Sequence, residues 1–239
     1  MPQPHLFSLI DKAIYDYAML PRGCKILVGA SGGKDSTLLV EYLANRLRRF
    51  PFPDRREFSF TAIYFQTDFA PPFNADLKRV FAGWGVDVIE RRVDVLGRLK
   101  PGRSMNCYWC STQRRTELIR YAVAHGYDTI ALGHHLDDIL ETLLMNMLGA
   151  GKLSAMPPVL RYRKYPLRVI RPLCYAPVRQ IALHAGQSGW QSMTCTCGYQ
   201  DNSGRKEMRR RLDALTAGDE RAKIRLFTAL KHINAEYLP

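Results

Sequence analysis

Residues 25–36 read Lys-Ile-Leu-Val-Gly-Ala-Ser-Gly-Gly-Lys-Asp-Ser, an apolar strand pattern that runs directly into a glycine-rich turn. A helical pattern follows, with Leu39, Leu43 and Leu47 on one face. The two glycines let the backbone approach an oxyanion without interference from a Cβ atom. The N–H groups at the helix start, the serine hydroxyls and the charge of Lys34 complete an anion cradle. The pattern therefore predicts a phosphate-binding loop between a strand and a helix.

This turn differs from the P-loop of kinases and GTPases, which has four residues between its first glycine and Gly-Lys-Ser/Thr. The turn here is shorter and ends in Asp35-Ser36. It resembles the PP-loop of ATP pyrophosphatases, which release pyrophosphate and attach AMP to a substrate. An ordinary glycine-rich strand–helix turn is the plain alternative.

Size and charge narrow the class of protein. A chain of 239 residues with 46% hydrophobic content suits a single α/β domain over residues 1–239. Within it we expect an N-terminal helix over 1–20, a core over 24–190, and a cysteine loop with basic helices over 191–239. Lysine and arginine number 35 against 22 acidic residues, and this excess of +13 favours a polyanionic partner, nucleic acid above all.

The sequence predicts a cytoplasmic protein without a membrane segment. The most apolar helical stretch, around 139–148, contains Glu141, Thr142 and Asn146 and is too short to span a bilayer. Residues 1–5 lack the charged and apolar regions of a signal peptide. In a reducing compartment, the six cysteines indicate metal or redox chemistry rather than a disulfide framework.

Strand patterns alternate with helical patterns along the chain. We expect five strands, at 25–30, 58–66, 86–93, 129–133 and 168–171. Helices are expected at 5–20, 36–49, 74–84, 113–125, 137–148 and 178–188. A cysteine-bearing loop is expected at 97–112 and irregular structure at 152–166. This alternation predicts a doubly wound, Rossmann-like parallel sheet, whose ligand site lies at the carboxyl ends of the strands.

A second motif follows the fourth strand. Residues 133–142 read Gly-His-His-Leu-Asp-Asp-Ile-Leu-Glu-Thr, so that Asp137 and Asp138 fall at the start of a helix. A carboxylate there can cap the helix, bind Mg²⁺ or orient an attacking group. A histidine-rich zinc site is the weaker interpretation, because adjacent histidines in a turn point apart.

The cysteines form two close pairs and two single positions. Residues 107–110 read Cys-Tyr-Trp-Cys and residues 195–197 read Cys-Thr-Cys. Three interpretations stay open: structural zinc, an iron–sulfur cluster held by three cysteines, and a thiol–disulfide pair. Zinc fits poorly because the second pair is spaced by one residue. Cys24 and Cys174 adjoin strands and are expected in the core.

The combined motifs resemble the tRNA 2-thiocytidine synthetase family (TtcA). The resemblance covers most of the chain, in the family's order. It rests on Ser31–Ser36, Cys107 and Cys110 followed by Arg114-Arg115, Gly133–Leu143, Asn146-Met147, Gly151-Lys152, Met156-Pro157-Pro158, Ile170-Arg171-Pro172-Leu173, and Cys197-Gly198 with Gln200.

The resemblance implies ATP, Mg²⁺ and a 4Fe-4S cluster as cofactors. It implies that ATP is held by Ser31, Gly32, Gly33, Lys34, Asp35, Ser36, Gly133, His134 and Asp138. It implies Asp138, Lys34 and Arg114 as catalytic residues, and Cys107, Cys110 and Cys197 as cluster ligands. Cys195 does not keep the family's spacing.

The activity implied is ATP-dependent thiolation of a cytidine in the anticodon loop of tRNA. The implied partners are tRNA, a sulfur donor (a cysteine desulfurase or inorganic sulfide) and a second copy in a homodimer. Alternatives are a lysidine synthetase-like ligase, a thiolase or desulfurase acting on another RNA or a free base, and a nucleotide-binding protein without catalysis.

Overall fold

The computed structural model describes residues 5–49, 58–193 and 204–237. Its strands are β1 (Cys24–Gly29), β2 (Phe58–Thr67), β3 (Val88–Val93), β4 (Thr129–Ala131), β5 (Val159–Arg161) and β6 (Arg168–Ile170). Its helices are α1 (Leu6–Asp16), α2 (Lys34–Arg48), α3 (Ala75–Gly83), α4 (Cys107–Ala124), α5 (Leu136–Ala150), α6 (Val178–Gln187), α7 (Gly204–Thr216) and α8 (Glu220–Ala229), followed by a 3₁₀ turn (Ala235–Tyr237).

The strands form one sheet in the order β3-β2-β1-β4-β6-β5. All neighbours pair in parallel except β5 and β6, which are antiparallel. The sequence predicted five parallel strands and irregular structure at 152–166, so β5 corrects both expectations. β5 has only three residues and no apolar alternation, and it exists because the chain folds back on β6, where the Tyr162 amide donates to the Leu167 carbonyl at 2.9 Å.

Both faces of the sheet are covered, as a doubly wound arrangement requires. On β1, Ile26 and Val28 belong to the larger core, which also takes in buried residues of α1, α2, α3, α5 and α6. Leu27, between them, faces a smaller core with Leu118 and Ala122 of α4. The predicted Rossmann-like fold is confirmed apart from the added edge strand.

The start of α4 differs from the prediction. The sequence placed both Cys107 and Cys110 in a loop that ended at residue 112. Instead α4 begins at Cys107, because the Asn106 side chain accepts a hydrogen bond from the Trp109 amide at 2.8 Å and caps the helix. The two cysteines therefore lie on the first turn of a helix.

The other predicted helices are present with small shifts at their ends, except that α1 ends at Asp16 rather than at residue 20. Asn74 caps α3 through the Leu77 amide, as expected. α5 continues through Gly149 to Ala150, and Gly151 caps its C-terminus with a φ of +61°. Among the described residues, no helix is both long enough and apolar enough to cross a membrane.

Candidate active site

A cavity of about 350 Å³ opens where β1, β2 and β4 end. Both predicted motifs contribute to its wall, since the carboxyl ends of parallel strands meet at one edge of the sheet. The lining residues are Gly29, Ala30, Ser31, Asp35, Ser36, Ile63, Tyr64, Phe65, Ser111, Arg114, Arg115, Leu118, Leu132, Gly133, His134, Asp138 and Arg205.

The phosphate loop is held in shape by its two serines. The Ser36 hydroxyl donates to the Gly33 carbonyl at 3.0 Å and accepts from the Ser31 amide at 3.1 Å. Ser31 Oγ lies 3.1 Å from Ser36 Oγ and accepts from the Gly33 amide at 3.3 Å. Gly33 is the N-cap of α2 but supplies no side-chain cap. The first N–H groups of α2 therefore have no side-chain partner from the N-cap residue, as an anion site requires.

Two glycines permit close approaches around this loop. Gly32 has a φ of +76°, and a Cβ atom there would meet Met193 Sδ at 2.5 Å. The Met193 amide also donates to the Gly32 carbonyl at 2.7 Å. A Cβ atom on Gly133 would lie 2.9 Å from the backbone of Asp35 and Ser36. Gly133 thus lets the turn after β4 pack directly on the first turn of α2.

Lys34 and Asp35 form an ion pair at the mouth of the loop. Lys34 Nζ donates to Asp35 Oδ1 at 2.7 Å. Asp35 lines the cavity whereas Lys34 does not, and Gly32 and Gly33 also lie beside rather than on its wall. Of the six predicted loop residues, Ser31, Asp35 and Ser36 face the cavity directly.

The two aspartates after β4 have different surroundings. Asp138 lines the cavity, and its Oδ2 accepts from the His135 amide at 3.1 Å, while His135 Nδ1 accepts from the Asp138 amide at 3.4 Å. This reciprocal pair is a capping box that closes the start of α5.

Asp137 is buried and points away from the cavity wall. It accepts from the Val178 amide and from Lys223 Nζ, each at 2.8 Å. Burial opposes its ionisation, but Lys223 and the Val178 amide outweigh that effect and lower the pKa of Asp137. Asp137 therefore joins α5 to α6 and α8, and Asp138 alone of the pair presents a carboxylate to a ligand.

His134 is a neutral imidazole in the cavity wall at neutral pH. Burial lowers its pKa to about 4, and Arg171, Arg205 and Arg115 push in the same direction against Asp138. Its Nδ1 is buried without a hydrogen-bond partner among the described residues. His134 therefore contributes an uncharged ring to the cavity wall.

One face of α4 connects the cavity to the cysteines. Ser111, Arg114, Arg115 and Leu118 line the cavity from this helix. Cys107 and Cys110 precede Ser111 and Arg114 by four residues each, so they continue the same helix face toward its N-terminus.

The two thiols fit a cluster with a third ligand. Both are partly buried on one helical turn, and thiolates near the positive end of a helix are the ligands that iron–sulfur clusters use. The described residues hold no group of three metal-binding side chains. Cys197 lies outside the described residues, in the segment between Met193, which contacts the phosphate loop, and Arg205, which lines the cavity.

The cavity also contains residues that the sequence did not assign to it. Arg115, Arg205 and the end of β2 (Ile63–Phe65) line it. The β2 residues follow from the rule that parallel strands end at the same edge. Arg205 lies on α7, and nothing in the sequence shows where that helix packs.

Comparisons with known proteins agree with this geometry. The PP-loop domain family matches residues 10–214. The tRNA-cytidine(32) 2-sulfurtransferase of Anaeromyxobacter sp. (strain K) is 36% identical over 238 residues, which cover 98% of this chain and 80% of the relative. The chain belongs to the tRNA-cytidine(32) 2-sulfurtransferase family of PP-loop proteins. The predicted family resemblance is confirmed.

Two further matches agree with this family assignment. A tRNA-cytidine(32) 2-sulfurtransferase from Xanthomonas euvesicatoria pv. vesicatoria (strain 85-10) is 37% identical over 204 residues, covering 83% of this chain and 65% of that relative. The U34-tRNA thiolase NcsA from Methanococcus maripaludis, solved with its [4Fe-4S] cluster, superposes with a TM-score of 0.74 at 22% identity. That match covers 95% of this chain and 80% of NcsA and shows a shared fold.

Proposed function

We propose that this protein is an ATP-dependent tRNA 2-sulfurtransferase. It adenylates the C2 carbonyl of a cytidine in the anticodon loop and then replaces the oxygen with sulfur. The observation that carries the proposal is the shared cavity: the phosphate loop, the Asp138 carboxylate and the cysteine-bearing face of α4 border one space. Membership of the 2-sulfurtransferase family supports it.

Adenylation makes a poor leaving group into a good one. The C2 oxygen of the base attacks the α-phosphorus of ATP, and pyrophosphate leaves. Ser31, Ser36 and the first amides of α2 bind the phosphates, and Lys34 turns from Asp35 to neutralise the departing pyrophosphate. The carboxylate of Asp138 would supply an oxygen ligand of the kind that Mg²⁺ prefers. Arg114, which lines the cavity, stabilises charge on the adenylated intermediate.

Sulfur transfer completes the reaction. Hydrosulfide attacks C2, the bond from C2 to the AMP oxygen breaks, and AMP leaves as C2 becomes a thiocarbonyl with loss of a proton. Cys107, Cys110 and Cys197 would hold a 4Fe-4S cluster, which would supply an iron without a protein ligand as a site for sulfide. Three protein ligands rather than four suit this role, and Cys195 is not needed.

The tRNA is bound by exposed basic residues that extend beyond the cavity. Arg161, Arg163 and Lys164 are exposed at the β5–β6 turn, beside the amino end of β6, and meet phosphates of the tRNA outside the nucleotide site. Arg168 is buried and donates to Thr129 Oγ1 at 2.8 Å, so it stabilises the sheet instead. Tyr108 is 80% exposed, whereas Trp109 donates its indole N–H to the Val95 carbonyl at 3.0 Å, so Tyr108 is the better stacking partner for an unstacked base.

Further partners follow from the same proposal. The sulfur comes from a cysteine desulfurase or from inorganic sulfide, and the protein acts as a homodimer. A tRNA substrate and reduced thiolates favour the cytoplasm.

Mass spectrometry of tRNA nucleosides tests the function. Cells that lack this protein are expected to lose 2-thiocytidine, and the wild-type gene restores it. Cys107→Ser is expected to abolish thiolation while ATP affinity stays within about twofold, because the phosphate loop does not include this thiol. The matched control is Cys174→Ala, which removes a core thiol whose pKa burial raises to about 12.

Iron and sulfide content measured anaerobically separates the alternatives. A colourless protein that thiolates tRNA fully without iron would contradict the cluster assignment. A protein that joins an amine to the adenylated base, with no sulfur incorporated, would instead identify a lysidine synthetase-like ligase.

A further inference from the structure

Helix α7 is fastened to α5 by two ion pairs that lie side by side. Arg209 Nε donates to Glu141 Oε1 at 2.7 Å, and Arg205 Nη1 lies 3.7 Å from Asp138 Oδ1. The arginines are four residues apart on α7 and the carboxylates three apart on α5, so each pair lies on one helix face. α7 therefore runs along α5 with Arg205 at the cavity end.

The ion pair between Arg209 and Glu141 fixes the position of α7 on α5. Glu141 is 0% exposed, and burial raises its pKa although Arg209 opposes the shift. A buried carboxylate needs its cation, so α7 cannot slide along α5 without breaking this contact. Lys223 of α8 adds a brace, because it bridges Asp137 on α5 and Asp213 on α7 at 2.8 Å each. Arg205 is thus held at the cavity by a rigid frame.

The contact between Arg205 and Asp138 leaves the guanidinium available. At 3.7 Å the two groups attract each other without a hydrogen bond of ordinary length. The cavity wall carries Arg114, Arg115 and Arg205 against the carboxylates of Asp35 and Asp138. Asp35 is already paired with Lys34. The excess of positive charge suits an anion that reaches across the cavity from the phosphate loop.

We infer that Arg205 is a further catalytic residue, which binds the phosphates of ATP and the leaving pyrophosphate opposite the phosphate loop. The inference rests on the proposed adenylation. The planar fork of a guanidinium matches two phosphate oxygens at once. When phosphate replaces Asp138 as its partner, Asp138 is released as an oxygen ligand for a divalent cation. The C-terminal helix α7 is on this view a wall of the nucleotide site as well as a basic surface.

Pyrophosphate binding to the purified full-length protein tests the inference. Titration calorimetry is done without divalent cations and without tRNA. Arg205→Ala is expected to weaken pyrophosphate binding about tenfold, as the loss of a charge-assisted hydrogen-bond pair predicts. Arg205→Lys, which keeps the charge without the fork, is expected to lose about threefold. The matched control is Arg211→Ala on the same helix, since both side chains are 47% exposed and Arg211 pairs with Glu207 away from the cavity.

The same measurement in an Asp138→Asn background separates a direct contact from an indirect one. If Arg205 touches phosphate, its removal weakens binding about equally in both backgrounds. Loss of the effect in the Asp138→Asn background would overturn the inference, because Arg205 would then act only on that carboxylate. So would an Arg205→Ala affinity within twofold of the Arg211→Ala control.

Pyrophosphate binding needs neither tRNA nor a cluster. A protein that fails to thiolate tRNA yet shows the Arg205 effect would overturn the proposed function alone. Unfolding temperatures of all variants confirm that each is folded during the titration.

Discussion

The N-termini of α2 and α5 lie side by side at the cavity, but only that of α5 is capped by side chains. At α2, Gly33 leaves the first amides without a side-chain cap, and the serines bond within the loop. At α5, His135 and Asp138 cap each other's backbone. The two helix N-termini thus differ in whether side chains accept hydrogen bonds from their backbone N–H groups.

This difference assigns the two helix ends separate tasks. An uncapped start attracts an anion, because its N–H groups and the helix dipole favour negative charge. At the capped start of α5 the His135 and Asp138 amides are already bonded, and the Asp138 carboxylate is held at a fixed position. α2 is therefore suited to bind phosphate, and α5 to present Asp138 to whatever is bound there.

Gly133→Ala should have the largest effect, because it forces the two helix starts apart. The added Cβ atom would lie 2.9 Å from backbone atoms of Asp35 and Ser36, which cannot rotate away. We expect a loss of about 3 kcal/mol in unfolding free energy and nucleotide binding too weak to measure. Urea denaturation and calorimetry with ATP measure the two effects.

Gly149→Ala is the matched control on α5. A Cβ atom there meets nothing within 4 Å, so the variant should gain about 0.5 kcal/mol from helix propensity and bind ATP normally. Equal stability of the two alanine variants would contradict the close approach at Gly133.

Replacing either Asp137 or Asp138 by asparagine should separate an effect on stability from an effect on activity. Asp137→Asn is expected to cost about 2 kcal/mol, since a buried ion pair with Lys223 is lost. The pKa of Asp137 is lowered in the folded state, so its stabilisation is present above pH ~4 and disappears as the pH falls further. Asp138→Asn should cost less than about 1 kcal/mol, because an amide oxygen still caps the helix.

Denaturation at pH 7 and activity assays measure both aspartate variants. Asp138→Asn is expected to remove thiolation, and Asp137→Asn to keep it at low temperature. The reverse result would show that the wrong carboxylate had been assigned to the cavity.

The sequence predicted those parts of the site whose signal is local. The phosphate loop and Gly133–Asp138 each follow an apolar strand and precede a helix, so their edge of the sheet could be deduced from the chain alone. The predicted start of α4 was wrong because the side chain of Asn106 caps the helix in a segment whose composition is typical of a loop. β5 and the cavity position of Arg205 depend on contacts between distant segments, which no periodicity records.

His134 at the α5 side should give the protein a pH-dependent stability. Its pKa of about 4 in the folded state lies below that of an unfolded histidine, about 6.5. The unfolded chain therefore takes up the proton first as the pH falls, and stability declines between pH ~6.5 and 4. His134→Gln should remove about 1–2 kcal/mol of that decline.

Urea midpoints at pH 7.5 and 4.5 measure this slope. The control is His232→Gln, at an exposed position beyond α8. Parallel pH profiles for wild type and His134→Gln would show that the buried imidazole is not the cause.

Ser36→Ala should have the smallest effect on the fold and a selective effect on the α2 start. Its hydroxyl bonds the Gly33 carbonyl and accepts from the Ser31 amide, so its loss loosens the loop without emptying the core. We expect ATP affinity to fall about tenfold, or ~1.4 kcal/mol, while unfolding free energy changes by less than about 1 kcal/mol. The capping box of α5 shares no hydrogen bond with Ser36, so Asp138→Asn should add to this loss independently in calorimetric titrations with ATP. If the double variant departs strongly from additivity, the N-termini of α2 and α5 bind the nucleotide as one unit and do not have separate roles.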